Sequence, residues 1–400
     1  MVKSVSSASA IRPLRSADVR ETNEKLVLRL IRQGDGLSQS EVAQRTGLKP
    51  PTVFRIFANL EERKLVRLAP ARQRGTGEKK GRRPVVYTVD PDACFAVGVD
   101  FWSRQMSIAI VDFSGALRCR NVVPVERADA QSVVAQMIRI IRACLSGAKV
   151  PLKRVVGIGI GCPGMVDLEQ GVILRYTRIE GMVGFPIRER IAREFGVPVR
   201  VHNNSAVVAA SEYRYGIARG LDSLVLVLIR SGVGGAFLDG GHLFVSHRQT
   251  AIEIGHLSVD RNGPSCQCGA RGCLEAYLSE EALVADIPTA AGVQSFDELG
   301  EALRLGNPDV AASLEAKGAV LALGLRSLMQ LLNPGAFVVV SRCQAVSDLL
   351  SRTAADILAR DSHVPNRPPV AVLPREYDPL TAGRGASDLV MDAWLGGESP

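Results

Sequence analysis

The chain has 400 residues, 46% of them apolar, and a formal net charge of +8. This length exceeds that of one typical domain, and the apolar fraction suffices for a sizeable core, so general disorder is excluded. No run approaches the length of a membrane span, and the N-terminus lacks the apolar segment of a secretory signal. These features predict a cytoplasmic protein with reduced thiols.

The positive charge is concentrated in the first quarter of the chain. Residues 1–90 hold 19 Lys and Arg against 9 Asp and Glu, a net charge of +10, and the remainder carries −2. A basic module on a near-neutral body predicts a polyanionic partner, most often nucleic acid. A solvated basic tail is the alternative interpretation.

The basic segment has the pattern of a helix-turn-helix. After a tail expected to be disordered over residues 1–18, apolar residues recur at helical spacing over residues 19–32. Ser38 and Glu41 have the spacing of a capping box at the start of a second helix, which ends at Gly47. A third helix is predicted from about Pro51 to Lys64, because proline is tolerated in a first turn. Its predicted buried stripe is Val53, Ile56, Phe57 and Leu60.

This module is predicted to bind DNA through its third helix and a wing. The N-terminal part of a recognition helix reads bases in the major groove, and here it exposes Lys49, Thr52 and Arg55. Predicted strands at residues 65–68 and 85–89 flank a loop with six basic residues and one acid. Such a wing neutralises phosphate or enters the minor groove. Its basic residues are Arg72, Arg74, Lys79, Lys80, Arg82 and Arg83. We therefore interpret residues 19–90 as a winged helix-turn-helix, with a protein-interaction module as the alternative.

The rest of the chain is predicted to be α/β. Buried-strand runs at residues 95–100, 106–112 and 155–161 alternate with helical patterns at 128–144, 204–215 and 311–332. Such alternation favours mixed sheets covered by helices on both faces.

Three cysteines have the spacing of a metal site. Cys266, Cys268 and Cys273 form C-x-C-x4-C, which in a cytoplasmic protein favours a metal over disulfides. Tetrahedral zinc requires a fourth ligand. His256 is the nearest candidate, with His242 and His247 as rivals and unliganded thiols as the alternative. The other cysteines are predicted to be small core residues. They are Cys94, Cys119, Cys144, Cys162 and Cys343.

Three motifs resemble the ROK family of repressors, open reading frames and sugar kinases. They are GIGIGCPGMVD at 157–167, EIGH at 253–256 and CQCGARGCLEAYLS at 266–279. With the winged helix in front, the chain resembles the xylose-repressor-like branch. The resemblance implies an actin- and hexokinase-like (ribonuclease H-like) fold with two subdomains, 94–203 and 204–375, around a sugar cleft. The second subdomain would contain a zinc loop at 256–273, and a C-terminal helix within 376–400 would return to the first.

The resemblance also implies the site residues. It assigns His256 with Cys266, Cys268 and Cys273 to one structural zinc per chain, which would orient the imidazole and its loop. It places the family's sugar ligands on Asn203, Asn204, Glu253, His256 and Glu275. The alternative interpretation of Glu275 is a solvated helix residue.

Several positions depart from the kinases of the family. Asn204 stands where they carry the aspartate that acts as general base, and an amide cannot accept that proton. Phe101 and Trp102 replace small residues of a phosphate loop. Ser341-Arg342 replaces a later Gly-Gly, although a Gly-rich turn at 230–235 is kept. These changes predict a sensor with no catalytic residues and no ATP chemistry.

A further departure concerns the ligand. Arg178 stands where relatives carry an asparagine, and an arginine can pair an acidic or phosphorylated sugar. A surface arginine on a loop is the alternative interpretation.

Taken together, these patterns predict a sugar-responsive DNA-binding regulator that represses carbohydrate-metabolism genes. It would bind operator double-stranded DNA as a homodimer or homotetramer, with no membrane association. The alternatives are a zinc-containing sugar kinase with a fused regulatory domain, and an interaction protein whose winged helix no longer binds DNA.

Overall fold

The computed structural model describes residues 16–34, 36–69, 85–126, 129–246, 250–360 and 370–396. The chain divides into two compact units. The first contains the described residues up to Cys94, Asp112–Ala116 and the segment that begins at Asp392. The second contains Phe95–Val111 and Leu117–Met391. No helix within the described ranges is long and apolar enough to cross a membrane.

The first unit contains the predicted winged helix. Its helices are α1 (Ser16–Gln33), α2 (Gln39–Thr46) and α3 (Pro50–Glu62). Its strands β1 (Leu37–Ser38), β2 (Val66–Leu68) and β3 (Val86–Val89) form an antiparallel sheet in the order β1-β3-β2. α1 begins three residues before the predicted start. The six basic wing residues lie outside the described residues, as does the predicted tail up to residue 15.

Local sequence signals explain the helices of this unit. The Ser38 backbone amide donates to Glu41 Oε2 at 2.7 Å, and the Glu41 amide donates to Ser38 Oγ at 3.3 Å, so the predicted capping box is confirmed. The Ser38 hydroxyl, which donates to Glu41 Oε2 at 2.6 Å, and the Ser38 amide together lower the pKa of the Glu41 carboxyl. α2 ends at Gly47, whose φ of 70° favours glycine. The predicted stripe of α3 is fully buried, and its Phe57 ring packs against Tyr87 with centroids 4.8 Å apart.

The second unit contains two five-stranded sheets, so the predicted α/β class is confirmed. The strands of the first sheet are β4 (Phe95–Phe101), β5 (Gln105–Asp112), β6 (Leu117–Pro124), β7 (Val155–Cys162) and β10 (Val199–Asn203). A separate pair consists of β8 (Met165–Asp167) and β9 (Val172–Arg175). The strands of the second sheet are β11 (Ser223–Ile229), β12 (Val233–Asp239), β13 (His242–Leu243), β14 (Ala336–Ser341) and β15 (Ala371–Glu376).

The two sheets combine parallel and antiparallel strands. The first sheet has the order β10-β7-β4-β5-β6 and the second has the order β13-β12-β11-β14-β15. Strands β4, β7 and β10 are parallel, as are β11, β14 and β15, whereas β12 runs antiparallel to β11.

Nine α-helices accompany these sheets in the described part of the chain. They are α4 (Ala130–Gly147), α5 (Ile187–Phe195), α6 (Asn204–Tyr215), α7 (Leu274–Leu278), α8 (Glu280–Ala285), α9 (Phe296–Arg304), α10 (Pro308–Leu332), α11 (Gln344–Arg360) and α12 (Pro379–Trp394). Helix α12 lies directly on the first sheet, because a methyl group on Gly159 of β7 would sit 1.7 Å from the Ala386 carbonyl oxygen. The subdomain boundaries at 203/204 and 375/376 stay a prediction.

The Gly-rich segment differs from the predicted turn over residues 230–235. Ile229 pairs with Val233, so only three residues turn the chain and Gly234 and Gly235 lie within β12. A methyl group on Gly235 would lie 1.6 Å from Ile254 Cγ1. This glycine therefore serves close packing of β12 against the segment that contains Glu253 and His256.

Candidate ligand cleft, metal centre and DNA-facing helix

Helix α3 exposes polar residues on the side opposite its buried stripe. Lys49 is the N-cap residue and is exposed, Arg55 is exposed, and Thr52 is half-buried. Phe54 is 62% exposed beside them, and the sequence analysis missed it. Its position outside the apolar stripe of α3 was the available signal. A basic end and an exposed aromatic ring are chemically suited to the bases and phosphates of DNA.

The second unit holds a cleft lined by all five residues that the resemblance assigned to the sugar. Asn203, Asn204, Glu253, His256 and Glu275 come from three separate parts of the chain. The cleft encloses about 990 Å³, including the part open to solvent. The structure therefore brings these residues together, and their role in sugar binding stays a prediction.

Asn203 and Asn204 lie at the junction of β10 and α6 and have different partners. Asn203 caps α6, because its Oδ1 accepts from the Ala206 amide at 2.9 Å. Its neighbour His202 is fully buried, and burial lowers the pKa of that imidazole to about 4. The Asn203 backbone amide donates to His202 Nδ1 at 2.8 Å, so the neutral ring carries its proton on Nε2.

Asn204 is bound into a buried polar network. Its Nδ2 donates to Asp100 Oδ1 at 2.5 Å and to the Phe101 carbonyl oxygen at 3.1 Å. The same carboxylate accepts from Tyr377 Oη at 2.7 Å. Burial raises the pKa of Asp100 despite the opposing influence of Arg230. The Asn204 amide group is thus held in place as a donor to Asp100.

Glu253, Glu275 and His256 surround the other side of the cleft. Glu253 Oε2 lies 3.7 Å from His256 Nε2 and 3.7 Å from Arg175 Nη2. Glu275 Oε2 accepts from the Val233 amide at 3.0 Å, which ties α7 to the start of β12. Both glutamates line the cleft, and carboxylate oxygens are acceptors that suit sugar hydroxyls.

His256 and the three cysteines form a group with the geometry of a metal centre. Their candidate ligand atoms all lie within 4.8 Å of one another. His256 Nδ1 is 3.6 Å from Cys266 Sγ, and Cys268 Sγ is 3.6 Å from Cys273 Sγ. Zinc–sulfur bonds of about 2.3 Å give tetrahedral edges of about 3.7 Å, so the donor set and its spacing fit zinc. His242 is not in this group, and His247 lies outside the described residues.

The same imidazole connects the metal group to the cleft. With Nδ1 directed at the cysteines, Nε2 faces Glu253. Of the other five cysteines, Cys94, Cys144, Cys162 and Cys343 are buried and Cys119 is half-buried, consistent with small core residues.

Arg178 lies on a loop that lines the cleft, and its guanidinium already has partners on the protein. Its Nη1 and Nη2 donate to the two carboxylate oxygens of Glu281 at 2.7 and 2.6 Å, and Nη2 also donates to the Ser231 carbonyl oxygen at 2.8 Å. These bonds raise the pKa of Arg178 and lower that of Glu281. Arg178 therefore ties the loop after β9 to the β11–β12 turn and α8.

Large side chains stand at the two positions where the kinases of the family carry small residues, and Trp102 and its neighbour Arg230 line the cleft. Arg230 is 5% exposed, its Nη1 lies 3.4 Å from Asp100 Oδ2, and its guanidinium stacks near the rings of Trp102 and Tyr377. Arg342 pairs with both carboxylate oxygens of Glu280 at 2.7 and 3.0 Å. The sequence analysis missed Arg230 as a cleft residue. The signal was a charged residue directly after the apolar strand run LVLVLI.

The fold and these sites define a class of protein. Residues 96–393 match the model of the ROK family, so the chain belongs to that family, and residues 21–75 match a model of the MarR family.

Two relatives with similar sequences are named as repressors. The xylose repressor of Bacillus subtilis is 26% identical over 322 residues, which is 80% of this chain and 82% of that protein. The DNA-binding transcriptional repressor Mlc of Escherichia coli is 25% identical over 390 residues, 95% of each chain.

Solved structures show the same fold. A ROK family transcriptional regulator, described as a homolog of E. coli MLC, has a TM-score of 0.79 at 21% identity and covers 94% of this chain and 98% of its own. A ROK family glucokinase from Streptomyces griseus, in complex with glucose and AMPPNP, has a TM-score of 0.63 at 26% identity. It covers 74% of this chain and 98% of its own.

Proposed function

We propose that this protein is a sugar-responsive DNA-binding transcriptional repressor of carbohydrate-metabolism genes. One observation carries the proposal: a single chain combines a winged helix, whose third helix exposes Lys49 and Arg55, with a cleft lined by acids, amides and an imidazole. The Escherichia coli relative that aligns with 95% of this chain is named a repressor, as is the Bacillus subtilis relative that aligns with 80% of it, which supports the same function.

We propose that Lys49, Thr52 and Arg55 contact bases and that the basic wing contacts phosphates. The proposed operator is palindromic, because a homodimer or homotetramer would present two recognition helices about one helical turn apart. Operator DNA and reduced thiols also favour a cytoplasmic location.

The sugar is proposed to bind through Asn203, Asn204, Glu253, His256 and Glu275. A ligand changes DNA binding only if the DNA-competent and DNA-incompetent geometries differ in their affinity for it. The proposed metal, zinc, is structural and holds the His256 imidazole so that Nε2 faces Glu253 and the cleft.

We further propose that the chain is not a kinase. Asn204 cannot act as general base, and its amide is committed to Asp100. Phe101 and Trp102 replace the small residues that let backbone amides approach phosphate, and both are buried. ATP-dependent phosphorylation of a pentose or hexose at rates typical of enzymes would instead support a kinase with a regulatory domain.

The direct test is a fluorescence-anisotropy titration of the full chain with DNA from upstream of its own gene. We expect tight binding. The logarithm of the association constant should fall linearly with the logarithm of the salt concentration, because DNA binding releases counterions. A panel of pentoses, hexoses, amino sugars and their acidic derivatives should then contain a ligand that weakens this binding. Absence of salt-dependent binding would contradict the DNA-binding function.

A further inference from the structure

The floor of the cleft contains an arginine whose hydrogen-bonding capacity is largely unused. The Arg230 side chain is only 6% exposed, yet among the described residues its one side-chain hydrogen bond within 3.5 Å is the 3.4 Å contact from Nη1 to Asp100, and its other polar neighbour is Tyr377. A guanidinium has five N–H donors, and burying an undersatisfied cation is costly. Because Arg230 lines the cleft, its remaining donors are available to a ligand there.

Asp100 does not explain this arginine as a structural ion pair. The carboxylate already accepts from Asn204 Nδ2 at 2.5 Å and from Tyr377 Oη at 2.7 Å. The contact from Arg230 is longer than either of these. Asp100 thus holds Arg230 from one side and leaves most of its fork unpaired.

A second unpartnered donor lies beside Arg230. Trp102 Nε1 is buried without a hydrogen-bond partner among the described residues, and its ring centroid is 5.3 Å from the Arg230 guanidinium carbon. Arg175 lines the same cleft, and the 3.7 Å ion pair with Glu253 is its one side-chain partner among the described residues. Arg230 and Trp102 thus lie side by side with unused donors, in a cleft that a second arginine also lines.

The proposed sugar ligands lie in the same cleft as this arginine. Arg230 begins the turn that leads to Val233, whose amide binds Glu275. An anionic group that reaches Arg230 would therefore belong to a molecule whose hydroxyls contact Glu275 and its neighbours.

We propose that Arg230 is a receptor for an anionic substituent, and that the effector is a monosaccharide bearing a phosphate ester or a carboxylate. This inference rests on the proposed sensor function and assigns its ligand class. A guanidinium fork suits both groups, because each presents two oxygens for paired charge-assisted hydrogen bonds.

The first experiment uses inorganic phosphate as the probe and does not depend on the identity of the sugar. Thermal unfolding of the full chain is measured in phosphate and in chloride at equal ionic strength. We expect phosphate to raise the melting temperature of the wild type and of Arg219→Gln, an exposed control arginine, but not of Arg230→Met. Equal stabilisation of wild type and Arg230→Met, or none in either, would overturn the receptor.

The second experiment measures binding of matched sugars by calorimetry. Glucose is compared with glucose 6-phosphate, glucuronate and gluconate, and ribose with ribose 5-phosphate. At least one phosphorylated or carboxylated sugar should bind the wild type about tenfold or more tightly than the matched neutral sugar. The identity of that sugar shows whether the anionic group is a phosphate or a carboxylate. Arg230→Met should remove that advantage and leave the neutral sugar unchanged. A neutral sugar that binds best, with equal affinity in wild type and Arg230→Met, would overturn the inference.

Two further measurements separate the possible failures. If Arg230→Met does not fold, Arg230→Lys replaces it, because lysine keeps a positive charge next to Asp100 but lacks the paired N–H donors of a guanidinium. Phosphate stabilisation of Arg230→Lys equal to that of the wild type would also overturn the inference. DNA titration of Arg230→Met should match the wild type, because the winged helix lies in the other compact unit. A wild-type protein that does not bind DNA would contradict the proposed function. A wild-type protein that binds DNA but binds anionic sugars no more tightly than neutral ones would contradict this inference alone.

Discussion

At the scale of single residues, the cleft depends on buried polar groups. His202, Asn204 and Asp100 are each at least nine-tenths buried, next to residues proposed to contact a ligand. Such groups hold their neighbours in one orientation, because alternatives would leave them unsatisfied. They also make the protein sensitive to pH, since burial favours the neutral form of an ionisable group.

His202 supplies a prediction at this scale. Its pKa of about 4 in the folded protein is below its ordinary value, so its contribution to stability is complete above about pH 6.5 and is lost as the pH falls toward 4. When the pH is lowered from 7 to 4.5, the free energy of unfolding falls in both proteins. We expect this fall to be about 2 kcal/mol smaller in His202→Gln than in the wild type. Denaturant unfolding at the two pH values measures this difference.

The control is His242→Gln, which removes an exposed histidine of the same unit. It should show the same loss on acidification as the wild type. Identical losses in His202→Gln and His242→Gln would contradict the assignment of acid sensitivity to His202.

At the scale of elements, two segments lie close to the cleft and the first sheet: the loop that carries the candidate metal ligands (residues 256–273, called the metal loop) and the C-terminal helix α12. The loop from His256 to Cys273 precedes α7, which carries Glu275, so ordering of the loop orders the glutamate. Helix α12 packs on glycines of the first sheet at distances that leave no room for a side chain.

The metal loop supplies the second prediction. Metal analysis of the purified chain should find about one zinc per chain, and Cys268→Ser should lower zinc affinity by at least about tenfold and lower the melting temperature. Cys119→Ser, which changes a half-buried cysteine outside the loop, is the control and should keep the metal. A chain that is equally stable with and without metal would contradict a structural zinc.

Helix α12 supplies the third prediction. Gly159→Ala would place a methyl group 1.7 Å from the Ala386 carbonyl oxygen, so the helix must move, and we expect a loss of about 2 kcal/mol or more in the free energy of unfolding. Gly147→Ala is the control, because no atom lies within 4 Å of its added methyl group. That change should be neutral or slightly stabilising. Similar stabilities for the two variants in thermal unfolding would show that α12 does not require Gly159.

At the scale of the whole molecule, DNA contact and ligand contact are assigned to different compact units. The net charge of +10 over residues 1–90 serves the first and the near-neutral body serves the second, so the overall charge describes neither. Substitutions in the DNA-binding unit should therefore leave sugar affinity unchanged, and substitutions in the cleft should leave the DNA affinity of the ligand-free protein unchanged.

The fourth prediction tests this separation. Arg55→Ala should weaken operator binding by about tenfold, because an arginine–base contact contributes about 1–3 kcal/mol, and it should leave sugar binding unchanged. Arg120→Ala, an exposed arginine of the other unit, should change neither. Anisotropy titrations with operator and unrelated DNA, paired with ligand calorimetry, measure both properties. Equal DNA affinity in Arg55→Ala and wild type would remove Arg55 from the interface.

Features that depend on neighbours along the chain could be predicted from the amino-acid sequence. The Ser38–Glu41 capping box, the buried stripe of α3 and the strand–helix alternation follow from local hydrogen bonding and periodicity, and each was predictable. The cysteine spacing indicated a metal site, and the family motifs supplied the cleft residues, which the structure brings to one cavity.

Which of these residues have free hydrogen-bonding groups depends on contacts between distant parts of the chain. Arg178 and Arg230 both lie next to turns, yet Arg178 is bound to Glu281 whereas Arg230 is buried with most donors unpaired. Gly235 appeared to belong to a phosphate-binding turn and instead makes room for Ile254. The partners of these residues lie 19 to 130 positions away in the chain, and no local rule of sequence specifies contacts at such separations.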